Sequence, residues 1–222
     1  MLNVDHARSH LWGSRSTAYP VLERRSKTSV KGITHRSDGG YIVAGATASF
    51  GAGGQDALLS KYDSTGTLQW ARIVGGSGDE VADSVQQTSD GGYVVSGHTS
   101  SFGAVGTVIF LLKFDSTGAL QWARAGGGST SGTSVQQTSD GGYIVAGSTA
   151  SFGAGGSDIL LIRTDANGNI AGCSDWSSVS PSIGMTFPSA ATSYAVDSPS
   201  FSVSSPTLTV AAAPLTSNSK CP

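Results

Sequence analysis

The chain has 222 residues and 22.4 kDa, with 38% hydrophobic and 13% charged residues and a net charge of −2. That length allows one large or two small domains with a real core, and the low charge excludes a disordered polyelectrolyte. No run approaches the eighteen or so apolar residues of a membrane helix, so no membrane insertion is expected.

Glycine occurs 31 times, and serine and threonine supply 57 more residues. These are middling to poor helix formers, and the mixture suits short strands joined by tight turns. Residues 1–36 carry seven basic side chains against Asp5 and Glu23, while 37–222 carry six against thirteen acids. The body is therefore acidic and repels a phosphate backbone, so no nucleic-acid partner is expected. Residues 1–31 read as an irregular basic arm, and nothing in it forms the apolar h-region of a secretory signal.

Internal repeats dominate the rest. DGGYIVAG at 38–45 returns as DGGYVVSG at 90–97 and DGGYIVAG at 140–147. SFGAGG at 49–54 returns as SFGAVG at 101–106 and SFGAGG at 151–156, DSTG at 63–66 returns at 115–118 and as DANG at 165–168, and LQWAR occurs at 68–72 and 120–124. The units are about 32–83, 84–133 and 134–173. In the second, strands are expected at 84–88, 93–98, 108–114 and 120–124, the first two joined by an Asp-Gly turn. The third strand is almost wholly apolar, as in a strand covered on both faces. Four antiparallel strands per roughly 50 residues make an all-β, β-propeller-like array of three blades. With no 3.6-residue apolar period, a helical solenoid is excluded.

The string DGGYIVAG…SFGAGG…D…LL…DSTG…LQWAR, over about 32–172, resembles a propeller-type repeat of large secreted and surface proteins of bacteria and archaea. It is more distantly similar to the Asp…Gly…Trp blades of quinone-enzyme propellers. The resemblance implies an extracellular or cell-surface propeller. Closed propellers have four to eight blades, so three units are incomplete unless the termini or a second copy close the ring. Leu11–Trp12 reads as the remnant of a further outer strand.

Beyond 173 the composition changes: residues 174–222 are Ser/Thr/Pro-rich, hold six of the seven prolines and read as an exposed appendage, with alternation at 198–210 that suits edge strands. Cys173 and Cys221 flank this tail, as one disulfide in an exported protein or as inert thiols.

Chemistry is sought where the repeat is broken. The loop GGSGDEVAD at 75–83 gathers Asp79, Glu80 and Asp83, whereas its counterpart at 126–133 has no acid. His98 stands where the other units have Ala46 and Ser148. A two-residue Asp90-Gly91 turn sets Asp83 opposite His98, and a one-residue change of turn sets Val85 there instead. A carboxylate beside an imidazole supports a general base, and clustered acids supply oxygen ligands for Ca²⁺. Together they suggest a Ca²⁺-dependent hydrolase of esters or lactones, analogous to the lactonase-like propellers, with catalytic His98 and Asp83, a metal on Asp79, Glu80 and Asp83, and no organic cofactor. The other reading is a non-catalytic module that binds a small molecule, surface glycan or protein. There Phe50, Phe102 and Phe152 offer an aromatic surface, or else plug gaps between blades. Asp38, Asp90 and Asp140, like Asp63, Asp115 and Asp165, read as turn residues bonded to their own backbone. Asp56 and Asp158 follow the SFGAGG loops, but Val108 holds that place in unit two, so no ring of ligands forms.

Overall fold

The structure, a computed structural model, describes residues 28–102, 106–128, 130–151, 156–173 and 176–184. The described residues form three antiparallel sheets and no helix. The first sheet has the order β1 (Thr28–His35), β2 (Tyr41–Thr47), β3 (Asp56–Tyr62), β4 (Leu68–Gly75). The second repeats it with β5 (Glu80–Gln87), β6 (Tyr93–Thr99), β7 (Val108–Phe114) and β8 (Leu120–Gly126). The third contains β9 (Thr130–Gln137), β10 (Tyr143–Thr149) and β11 (Asp158–Thr164). The first strand of the first sheet thus begins within the stretch that the charge pattern assigns to the basic arm.

The third unit departs from the four-strand expectation. After the DANG turn the sequence reads NIAGCSDW instead of LQWAR, with Gly172 at a positive φ of 72°. Without the Trp and Arg that hold the last strand in the other units, the chain leaves the third sheet. It then lays β12 (Trp176–Ser178) on the free edge of β8 and β13 (Ser182–Gly184) on that of β4. Part of the tail therefore caps two sheet edges, with Trp176 buried and its indole N–H donating to the Gly168 carbonyl at 2.7 Å. Residues 198–210 and Leu11–Trp12 lie outside the described residues.

Period-2 patterning explains the layering. From β7, Val108, Phe110, Leu112 and Phe114 join Ile42, Ala44, Leu59 and Trp70 in a core between the first and second sheets. The alternate residues Ile109 and Leu111 join Val135, Tyr143 and Val145 between the second and third. Every residue of β7 is buried, as its apolar run requires. The first strands approach one another across the sheets: the Thr34 hydroxyl donates to the Val85 carbonyl at 2.6 Å, and the Gln137 N–H donates to Gln86 Oε1 at 2.6 Å.

The turn aspartates behave as the repeats imply. Gly40, Gly92 and Gly142 donate their N–H groups to Asp38, Asp90 and Asp140. Asp63, Asp115 and Asp165 each accept from the backbone two and four residues on. Asp90 has a second task. The buried Lys113 ammonium donates to its Oδ2 at 2.8 Å and to the Phe114 carbonyl at 3.1 Å. Desolvation pushes the Asp90 carboxyl up, but hydrogen bonds from Lys113, Thr88 and Gly92 outweigh it and hold the group down to about 2. A depressed carboxyl contributes stability above its unfolded value, and that stability disappears as pH falls from 3.8 towards 2. Asp90→Asn should therefore flatten the loss over that window by about 1 kcal/mol, allowing for screening at a half-exposed carboxylate. Urea midpoints at pH 5 and 2.5 measure it; parallel losses in variant and parent would contradict the assignment.

Candidate functional site

The hairpin between β5 and β6 sets the site. The Gly91 N–H bonds to the Thr88 carbonyl at 2.9 Å, and Gly91 has a φ of 80°. The loop is thus three residues, 89–91, with the left-handed position that such loops need. Pairing runs from Gln87↔Tyr93 to Ser84↔Ser96 and then slips, so that Ala82 faces Gly97 and Val81 faces His98. Neither register considered from the sequence is adopted. Asp83 is the extra residue of a β-bulge, a device that re-aims a side chain. The contact expected from the two-residue turn nevertheless forms, through the bulge: Asp83 Oδ2 lies 2.8 Å from His98 Nδ1. The first and third sheets bulge at the same place, after Val30 and beside Ala146, but carry Lys31 and Thr133 there.

Both members of the pair are largely but not wholly covered. A carboxylate can only accept, so Nδ1 carries the proton and Nε2 of the neutral ring keeps its lone pair. That arrangement suits a general base or a hydrogen-bond acceptor.

The acids of the loop accept hydrogen bonds from within the fold. Glu80 is buried; its Oε1 accepts from the Thr99 hydroxyl at 2.6 Å and its Oε2 from the Gly76 N–H at 2.6 Å. Asp79 Oδ1 accepts from the Gln55 N–H at 2.8 Å. Asp83 is committed to His98. Each Glu80 oxygen thus already accepts one hydrogen bond. Among the described residues no group of three His, Cys, Asp or Glu side chains is arranged to hold a metal. Asp79 clasps loop 75–80 to loop 48–56, helped by Gly54 N–H to the Gly78 carbonyl at 3.0 Å.

A buried acid pair escaped the sequence reading. Asp56 is buried and accepts from the Ala52 and Gly53 N–H groups at 3.2 and 3.4 Å. Its carboxyl approaches that of Glu80 beside Gly75, where an added Cβ would lie 1.9 Å from Asp56 Oδ1 and 2.8 Å from Glu80 Oε2. Burial raises the Asp56 carboxyl above its ordinary range, with the Glu80 and Asp79 charges adding to it and the Ala52 and Gly53 N–H groups opposing. The available signal was positional: unit two places apolar Val108 where unit one has Asp56.

Phe102 packs against the core between the first two sheets, Phe50 is exposed, and Phe152 lies outside the described residues. A crevice between those sheets is lined by Ala57, Val74, Phe102, Phe110, Leu112, Val179, Pro181 and a single acid, Glu80. It does not reach Asp83 or His98. No protein-family model matches the chain, and no curated protein matches its sequence.

Proposed function

We propose that the three sheets are consecutive blades of a β-propeller, and that the protein is an extracellular or cell-surface module that binds or scaffolds through its loop face. The observation that carries this reading is that the loop acids are spent on backbone N–H groups. Asp56, Asp79 and Glu80 stiffen loops 48–56 and 75–80 into a firm polar surface instead of converging on a substrate. Rigid loops on a scaffold are a recurrent platform for recognition. Blade geometry is supported by the side-by-side first strands and by the repeated Trp–Tyr contacts between sheets, Trp70 on Tyr93 at 5.7 Å and Trp122 on Tyr143 at 5.6 Å. Cys173 is disulfide-bonded, a state that oxidising compartments maintain; the chain's other cysteine, Cys221, lies outside the described residues.

The ligand class is a surface glycan, a protein or a small molecule. Binding to arrayed bacterial cell-wall glycans and surface proteins tests the reading, with exposed Phe50 as the probe. Phe50→Ala should weaken binding about tenfold or more, the value of one well-placed aromatic contact. No binding to any array would count against the module.

The Asp83–His98 hydrogen bond favours a second reading, a small hydrolase of esters or lactones with His98 Nε2 as base and Asp83 fixing its tautomer. Calcium in that reading would be held by Asp79, Glu80 and Asp83. Turnover of an ester or lactone panel that His98→Ala and Asp83→Ala both abolish would establish it in place of the binding module.

A further inference from the structure

We propose that two copies of this chain join head to tail, the outer face of the third sheet in each seating on the outer face of the first sheet in the other, to close a ring of six sheets. The inference rests on the blade reading and deepens it by naming the partner.

The two seams inside the molecule show what the outer faces are built for. At the seam between the second and third sheets, Ile109 and Leu111 are fully buried. Their equivalents one repeat on, Ile159 and Leu161 of β11, are 86% and 64% exposed. The buried Lys113 side chain, paired with half-exposed Asp90, becomes exposed Arg163 paired with Asp140. The opposite side of the seam behaves the same way. Val85 and Val135 are buried against the preceding sheet, whereas their equivalent Ile33 on β1 is 65% exposed. Ala82 is buried and its equivalent Val30 is 67% exposed. Each outer face therefore carries the half of a seam that the other lacks.

Surface Ile, Leu and Val clustered on two separate sheet faces mark interaction surfaces. The two faces differ, so their union is heterologous, and a heterologous contact must close or run on as a filament. Two copies give six sheets, within the four to eight of closed propellers, while three copies would give nine. In the closed dimer both copies use both faces and no apolar face stays in water. The new seam is plainer than the inner ones, because Gly172 holds the place of Trp70 and Trp122 and the stacking on Tyr41 is lost.

Native mass spectrometry and light scattering of the full chain from 1 to 100 μM, as working concentrations of the test, read the result. A species of twice 22.4 kDa is expected. Ile159→Asp/Leu161→Asp should weaken association at least about 100-fold, as should Val30→Asp/Ile33→Asp, because each places charge in a dry seam. These positions are exposed in the single chain, so both variants should remain folded by circular dichroism. Mixing the two variants should restore a dimer through the one intact seam. A monomer at 100 μM overturns the proposal, including one in which another segment of the chain covers these faces. So does a dimer resistant to either pair, variants that do not reassociate on mixing, or open polymers. Failure of the blade reading is read separately: cross-linking of a monomeric variant that places β1, β5 and β9 apart would remove it whatever the oligomeric state.

Discussion

Gly97→Ala should destabilise the protein by about 3 kcal/mol, the upper end for forcing extra volume into a packed interior. A Cβ at this position would lie 2.0 Å from the Val81 carbonyl oxygen and 2.6 Å from Phe110 Cζ. The first is backbone of the neighbouring strand and cannot swing aside, unlike a side-chain tip. The cause is the bulge at Asp83, which draws β5 against β6 where Ala82 faces Gly97. The same crowding recurs in the first sheet, where a Cβ on Gly45 would come within 1.9 Å of the Ser29 carbonyl. For a chain of this length the melting temperature should fall by about 6–12 °C. Gly91→Ala is the comparison: it too meets a positive φ of 80°, but nothing lies within 4 Å of the added carbon. That change should cost only about 1 kcal/mol of left-handed strain. Equal losses in the two variants would show that close approach is not the reason for glycine at 97. The clash should also part Asp83 from His98, so imidazole proton resonances report whether bulge and pair are one structural unit.

What the sequence made legible is what the repeats repeat. Strand identity, the doubly covered β7 and the turn aspartates all follow from alternation and turn chemistry, which are local. Asp83 and His98 could be picked out because they break the pattern, and they do meet. The bulge that joins them was not legible, since a bulge is a choice of backbone pairing that no side chain at 81–84 spells out. The burial of Glu80 was not legible for a different reason. An acid in a glycine-rich loop reads as solvated, but Thr99 and the Gly76 N–H supply two hydrogen bonds that make burial tolerable. The fourth strand of the third unit was expected from the count of repeats alone. Its absence among the described residues follows from residues that were in view, because Gly172 and Cys173 stand where the tryptophan and the following residue of LQWAR would fall.

Trp70→Ala should cost about 4 kcal/mol, the range for emptying a buried aromatic site. The indole is buried in the seam between the first two sheets, edge-on to Tyr93 with ring centroids 5.7 Å apart. Arg72 lies over its face at 5.2 Å and donates to the Gly118 and Thr117 carbonyls of the next sheet at 2.8 and 3.0 Å. The ring also rests on the β7–β8 turn: a Cβ on Gly118 would lie 3.0 Å from Trp70 Cε2, and Gly118 has a φ of 80°. The glycine of the DSTG turn thus serves both its own backbone and the tryptophan of the preceding sheet. Gly118→Ala should therefore cost more than Gly91→Ala, whose φ is the same but whose surroundings are empty. Trp70→Phe separates packing from polarity. Among the described residues the buried Trp70 Nε1–H has no acceptor, so phenylalanine keeps most of the apolar contact and removes an unpaired donor. Its cost should stay below about 1.5 kcal/mol. Urea denaturation of the three variants decides the matter. If Trp70→Phe were as damaging as Trp70→Ala, the indole N–H would be the group that matters, and the seam would not be held by packing.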